Sequence, residues 1–383
     1  MSNYSKHTAT LLASTILGLA CVSAAQAQTS VTVGGHIDLD VHYTDLSDGA
    51  FASNSVTRDF YIPGAIPVVA GGGAGTKTTD FSAEASRFYI KAKHTDGDVK
   101  MGGKVELDFL LSAQGNQRVS NSVSPRLRHA YLDFNNFRFG QTWTAFQNTS
   151  SIPESASFLG LSDGMIFIRQ PIIQYKSGPW QVSLENGNTT VTPNAGGRIE
   201  ADSNVLPDGV IRYNASGSFG NVSVAVIGRE LRIDTAGLDD KTTGWGLSVS
   251  GRLNVGEKSD IRFGITGGDG VGRYIGLNAV NAAAVDATGE LEAIPVIGGH
   301  VALRVPVGET TRLSVGYSAL QADNPAFLPG ATTKMVHSGM AALLWTASNK
   351  VTFGFELMYG ERETEAGDKG DMTRATFSTK LPF

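Results

Sequence analysis

The sequence predicts an all-β protein: a sixteen-stranded antiparallel transmembrane β-barrel with a constriction loop folded into its lumen. Three observations carry this. The chain ends in an alternating strand, with Leu381, Thr379, Phe377 and Ala375 on one face, Lys380, Ser378, Thr376 and Arg374 on the other, and Phe383 at its close. A strand with one apolar and one polar face can separate lipid from water. The same unit, an alternating segment of about ten residues and then a turn or loop, recurs along the chain. No apolar run of about 18 residues, the length of a helical span, follows the N-terminal segment. Glycine, at 46 of 383 residues, is frequent enough for many tight turns and crowded walls.

Residues 1–27 read as a secretory signal peptide. Lys6 and His7 give a basic start, Thr10 to Ala20 are apolar, and Ala25-Gln26-Ala27 is a cleavage signal. Cleavage after Ala27 leaves 28–383 as one barrel domain. It also removes Cys21, the only cysteine, so the mature chain has no disulfide and no thiolate chemistry. A mean hydropathy near zero fits a barrel, whose strands are only half apolar. The formal charge of −5 argues against a nucleic-acid partner.

The first segment, Val33–Tyr43, puts Val33, Ile37, Leu39, Val41 and Tyr43 outward and His36, Asp38, Asp40 and His42 inward. In the second, 87–93, Phe88, Ile90 and Ala92 face out while Arg87, Tyr89, Lys91 and Lys93 face in. Asp96-Gly97-Asp98 is a hairpin signal leading to Val99–Phe109. There Lys100, Lys104, Glu106 and Asp108 face in. Further segments fall near 126–134, 137–145, 168–176, 180–187, 209–216, 222–231, 243–253, 260–267, 296–305, 311–320, 335–345, 351–360 and 373–383. Short turns alternate with long loops such as 44–84, 146–167, 188–208, 268–295 and 321–334, the pattern of outer-membrane barrels. Trp180, Trp245, Trp345, Tyr43, Tyr175, Tyr213, Tyr317 and Tyr359 fall on outward parities and suit interfacial girdles.

Two segments break the alternation. Arg126 and Arg128 stand in register with Ala130, Leu132 and Phe134, and 335–345 is apolar on both faces. A bulge, or a strand facing another subunit, would explain either.

No catalytic pattern is present: neither G-x-S-x-G nor H-E-x-x-H occurs. Gly71 to Lys77 lacks the Gly-Lys-Ser/Thr order of a phosphate loop. His36, Asp38, Asp40 and His42 repeat every ~7 Å along a strand, too widely spaced for a metal without partners from elsewhere. No catalytic residue, metal site or cofactor is expected.

The informative constellation is basic. Arg87, Lys91, Lys93, Arg126, Arg128, Arg138 and Arg169 concentrate on inward positions of the early strands. Such a ladder on one side of a pore attracts anions by charge-assisted contacts. The loop at about 146–167 carries Phe158, Leu159, Leu161 and Met165, too apolar for water. Folded into the lumen, it would bury these groups and present Glu154 and Asp163 across from the arginines.

The stretches Ser86–Phe109, Arg126–Phe146 and Phe167–Glu185, with R-x-R-H-A-Y and F-G-Q-T, resemble the DcaP-type trimeric porins of Gram-negative bacteria, within the general porin superfamily. The resemblance implies an outer-membrane homotrimer, a third loop constricting each pore, and uptake of small anionic solutes such as dicarboxylates. By position it places Arg87, Lys91, Arg128, Arg138 and Arg169 on the pore, and Glu154 and Asp163 on the constriction loop. Some relatives carry a helical segment before the barrel. Here the first strand is expected within a few residues of the cleavage site. The alternatives are a phosphate- or sugar-specific channel, and a non-channel adhesin or enzyme of the outer membrane.

Overall fold

The structure is a computed structural model that describes residues 28–383 except 54, 111–114, 117–120, 236 and 348–349. The leader expected at 1–27 lies outside the described residues. The strands close into one antiparallel barrel. In chain order they are β1 (Gln28–Leu46), β2 (Lys77–Ser82 continued by Arg87–Asp96), β3 (Val99–Asp108), β4 (Arg126–Phe134), β5 (Phe137–Trp143) and β6 (Arg169–Ser177). There follow β7 (Trp180–Glu185), β8 (Asp208–Gly217), β9 (Gly220–Thr235), β10 (Leu238–Val255) and β11 (Ser259–Asp269). The wall is completed by β12 (Pro295–Pro306), β13 (Thr311–Ala322), β14 (Thr333–Ala347), β15 (Val351–Thr364) and β16 (Lys369–Pro382). Each strand pairs with the next, and β1 pairs with β16 from His36↔Pro382 to Leu46↔Met372. Closure satisfies the backbone groups that an open edge would leave bare in lipid.

The expected parities hold at both ends of the chain. In β1, Asp38, Asp40 and His42 are buried in the interior while Val33, Ile37 and Tyr43 are exposed on the outer face. In β16, Arg374, Thr376 and Ser378 are interior and Phe377 and Leu381 exterior. Asp96 closes a tight turn through Gly97 at φ 56 and pairs with Val99. All eight girdle aromatics are exposed on the outer face.

The two irregular segments have different causes. In β4, Glu106 pairs with His129 but Leu107 pairs with Leu127, so Arg128 is the extra residue of a β-bulge. The bulge lets Arg126 and Arg128 both turn inward before His129, Tyr131 and Asp133 take over that face. In β14 the register shifts between Thr333 and Met335, ahead of the inward apolar residues, and those residues are covered from within the barrel. Met340, Ala342 and Leu344 are buried against Ala156 and Leu161 of the loop between β5 and β6.

That loop, residues 144–168, turns into the barrel and follows the inner wall. Asn148 Nδ2 donates to the Ser250 carbonyl on β10 at 3.1 Å. His300 on β12 is hydrogen-bonded to the Ser151 carbonyl at 3.0 Å. Ser155 Oγ and the Ala156 amide donate to Glu356 Oε2 on β15 at 2.6 and 2.9 Å. At Gly164 the loop backbone meets the wall: an added Cβ would lie 2.1 Å from the Gly299 nitrogen and 2.3 Å from the Ala319 oxygen. Only glycine fits there, and its amide donates to Ser318 Oγ at 2.8 Å.

Candidate functional site

The lumen has two charged regions. The first is built on β2 to β6. Alternation brings Arg87 of β2 and Lys104, Glu106 and Asp108 of β3 to the interior, and the β4 bulge adds Arg126 and Arg128 beside them. Glu106 collects three cations, with Lys104 Nζ at 2.5 Å, Arg128 Nε at 2.8 Å and Arg87 Nε at 3.5 Å. Asp108 takes a two-pronged contact from Arg126 at 2.8 and 2.7 Å and another from Arg128 Nη1 at 2.6 Å. Such charge-assisted pairs hold the guanidinium planes in fixed orientation. Arg126 and Arg128 also lie over the ring of Phe158, which projects from the inner loop, at 5.8 and 5.5 Å.

Arg169 reaches the neighbourhood of Arg126, Arg128 and Asp108 from the first position of β6. It shares strand parity with Ile173 and Tyr175, which face outward, and pairs with Trp143. It stands where the chain re-enters the wall from the inner loop. There its guanidinium stacks on Trp143 at 4.4 Å and on Phe167 at 5.7 Å.

The remaining basic residues separate. Lys91 lies opposite Lys104, adding a further cation to the same face. Lys93 is exposed toward the short-turn end of β2. Arg138 is neutralised by Asp133 at 2.6 and 3.0 Å, next to the β4–β5 turn. Arg229, on an inward position of β9, is fully buried against Asp208 at 3.0 Å and serves the wall.

The two acidic loop residues are on the inner loop, but neither lies across from these arginines. Glu154 is pinned by Arg312 at 2.8 Å and approached by Arg304 at 3.9 Å. Arg304 and Arg262 in turn hold Asp260, at 2.5 and 2.9 Å. This is the second charged region, on β11 to β13. Asp163 is fully buried. It accepts from Tyr61 Oη of the first loop at 2.6 Å and from Ser338 Oγ of β14. Burial pushes its carboxyl up to about 6, against the lowering effect of these two donors.

Lys104, Glu106 and Asp108 are the partners that sequence reasoning left out of the site. Their inward parity was visible; the pairs of Glu106 with Arg128 and of Asp108 with Arg126 and Arg128 depend on the bulge. Among the described residues, no group of three or more His, Cys, Asp or Glu side chains could hold a metal. Members of the inward row on β1 have partners on β16: Asp38 with Lys380 at 3.0 Å, in addition to His36 of the row itself at 3.8 Å, and His42 with Thr376 Oγ1 at 2.9 Å.

A closed sixteen-stranded barrel, apolar outside and charged within, with one loop laid along its inner wall, defines an outer-membrane porin. The chain belongs to the DcaP outer membrane protein family, whose sequence profile matches residues 19–383. Its fold is similar to that of the outer membrane channel DcaP of Acinetobacter baumannii. The two share 23% identity over 93% of this chain and 97% of that one, with a TM-score of 0.77. The anion-selective porin from Comamonas acidovorans is similar at 14% identity over 93% and 100% of the two chains, TM-score 0.57. OmpT of Vibrio cholerae is similar at 13% identity over 95% and 99%, TM-score 0.56. At these identities the likeness is one of fold. No curated protein matches the chain.

Proposed function

We propose that this porin passes small hydrophilic solutes by diffusion, prefers anions such as small dicarboxylates, and works as a homotrimer. One observation carries the preference: at the β2–β6 wall, four cations (Arg87, Lys104, Arg126 and Arg128) surround two carboxylates, Glu106 and Asp108, and Arg169 stands by as a further neighbouring charge. The local excess is positive although the whole chain is acidic. Charges on exposed loops are screened over ~8–10 Å of salt solution, whereas a lumen of low effective dielectric retains its local field. Arg87, with 24% of its side chain exposed, and Lys104, with 23%, offer solutes more of their charge than Arg128, with 4%. Lys91 extends the same face, and Lys93 and Arg138 lie toward its short-turn end. The trimer is supported by the shortness of the strands on this side.

Reversal potentials in planar bilayers under a KCl gradient test the preference. The wild-type channel is expected to favour chloride. Arg87→Gln with Lys91→Gln should lower the anion/cation permeability ratio severalfold while the barrel stays folded. Glu154→Gln should leave the ratio unchanged or raise it, because it frees Arg312. A cation-selective wild type, or a double variant with full anion preference, would overturn the assignment.

A further inference from the structure

Another basic locus lies away from the β2–β6 wall, at the long-loop end. Loops 47–76, 186–207, 270–294 and 323–332 meet there. Two of them share a small sheet: Thr189–Pro193 pairs with Ile199–Ala201 and, in parallel, with Ala283–Val285. Gly64 of the first loop approaches so closely that an added Cβ would lie 2.8 Å from Ala279 Cα. Between these loops is a cleft of about 310 Å³ whose lining includes Arg198, Arg362, Thr192, Asn281 and Thr333. That volume is at the lower end of small-molecule sites, ~300 Å³.

Both arginines are oriented by neutral acceptors. Arg198 Nε donates to Asn281 Oδ1 at 2.7 Å and its Nη2 to the Asn278 carbonyl at 2.6 Å. Arg362 Nε donates to Thr333 Oγ1 at 2.9 Å and its Nη1 to the Ile66 carbonyl at 3.1 Å. Among the described residues neither arginine forms an ion pair, and no Asp or Glu lines the cleft. Glu200 acts on Arg198 only as a neighbouring charge.

The scaffold is fixed before any ligand arrives. Asn281 Oδ1 also accepts from Asn278 Nδ2 at 3.0 Å, and Asn281 Nδ2 donates to Thr192 Oγ1 at 2.8 Å. The turn that supplies the Asn278 carbonyl runs through Gly276, Leu277 and Asn278 at φ 63, 53 and 59. Left-handed backbone at a leucine is costly, and such strain concentrates at ligand clamps.

The geometry points to a capture site for a small dicarboxylate at the mouth of the barrel, formed by Arg198 and Arg362. Two guanidinium forks on separate elements, each with a donor left over, offer each end of a dicarboxylate its own charge-assisted partner, and the bound anion supplies the charge the cleft lacks. The site deepens the anion reading above, and rests on it only for the solute's onward passage.

The test is titration of the full-length protein in detergent with sodium succinate. It is done in the Arg87→Gln, Lys91→Gln background, so that the deeper cluster contributes little. Succinate should bind, and adding Arg198→Gln and Arg362→Gln should weaken binding by more than about tenfold. Acetate, with one carboxylate, should bind more weakly than succinate. Tighter binding of inorganic phosphate would overturn the dicarboxylate assignment. Arg198→Gln alone, on an exposed loop where folding is not at stake, should give a smaller loss. Unchanged succinate affinity in either variant would overturn the site. The channel with only Arg198 and Arg362 replaced should keep the wild-type reversal potential in KCl. A cation-selective wild type that still loses succinate binding on these replacements would sink the pore reading and leave the capture site standing.

Discussion

The two halves of the barrel wall differ on both faces. From β3 to β8 the strands run 6 to 10 residues. From β9 to β16 they run 11 to 18. A strand of seven residues such as β5 is about 24 Å long, and at a 45° tilt it stands about 17 Å tall, against an apolar band of about 25 Å. The short wall cannot meet the bilayer alone over its full height, yet its outer face is apolar, with Val105, Leu132, Phe139 and Ile173 exposed. The tall wall spans the band unaided. Inside, the contrast reverses. The tall wall is covered by the inner loop, through Met340, Ala342 and Leu344. The short wall carries the larger excess of cations. One wall therefore suits a neighbouring copy outside and solute inside; the other suits lipid outside and the loop inside.

The largest expected effect is on assembly. Ile173→Arg, on the outer face of the short wall, should convert the proposed trimer to monomers in mild detergent, measured by mass. Leu357→Arg, outward on β15, should leave the trimer intact and cost the barrel about 2–4 kcal/mol, the usual cost of a cation facing mid-bilayer lipid. If Leu357→Arg dissociates the assembly and Ile173→Arg does not, the two walls have been assigned the wrong way round.

A smaller effect is expected on the tall wall's inner face. Gly164→Ala places a methyl group against the Gly299 backbone, where no flexible side chain can give way. The loop must lift from β12 and β13, at about 1–3 kcal/mol for a forced backbone shift. Single-channel conductance should change and the melting temperature fall, with assembly untouched. Unaltered conductance would mean that the loop is not held by this contact.

Much of the fold was legible in the sequence, though not the difference in strand length, and the limits have physical reasons. The sixteen strands follow from a period of two, which each segment carries locally. The loop's apolar content, Phe158 through Met165, told that it must be covered. What covers it was not legible, because Ser318, Ser338 and Glu356 lie some 150 to 200 residues further along the chain. Parity marked Arg126 and Arg128 as irregular, but the bulge that seats both beside Asp108 is set by pairing with β3. Parity alone also could not separate Arg87, partly open to the lumen, from Arg229, sealed on Asp208. Arg198, in a glycine-rich loop, gave no sign of its partner Asn281.

The expected effect narrowest in scope, because it is confined to a window of pH, concerns the buried tether of the inner loop. Asp163 faces Tyr61 from the first loop and Ser338 from β14, with His337 of β14 acting as a nearby charge. Its carboxyl is raised from 3.8 to about 6, chiefly by burial. Between those values the folded protein holds a proton that the unfolded chain releases, so protonation favours the docked state. Stability should therefore be fully present below about pH 4 and decline as pH rises through about 6, by on the order of 3 kcal/mol for a shift of this size. Asp163→Asn keeps the shape and an acceptor for Tyr61, and should flatten this dependence. Hydrogen exchange of the Gly164 amide, corrected for its intrinsic rate, reads the local term. Protection that increases from pH 5 to pH 7 in the wild type, or equal slopes in wild type and variant, would show that this carboxyl does not set the loop's hold on the tall wall.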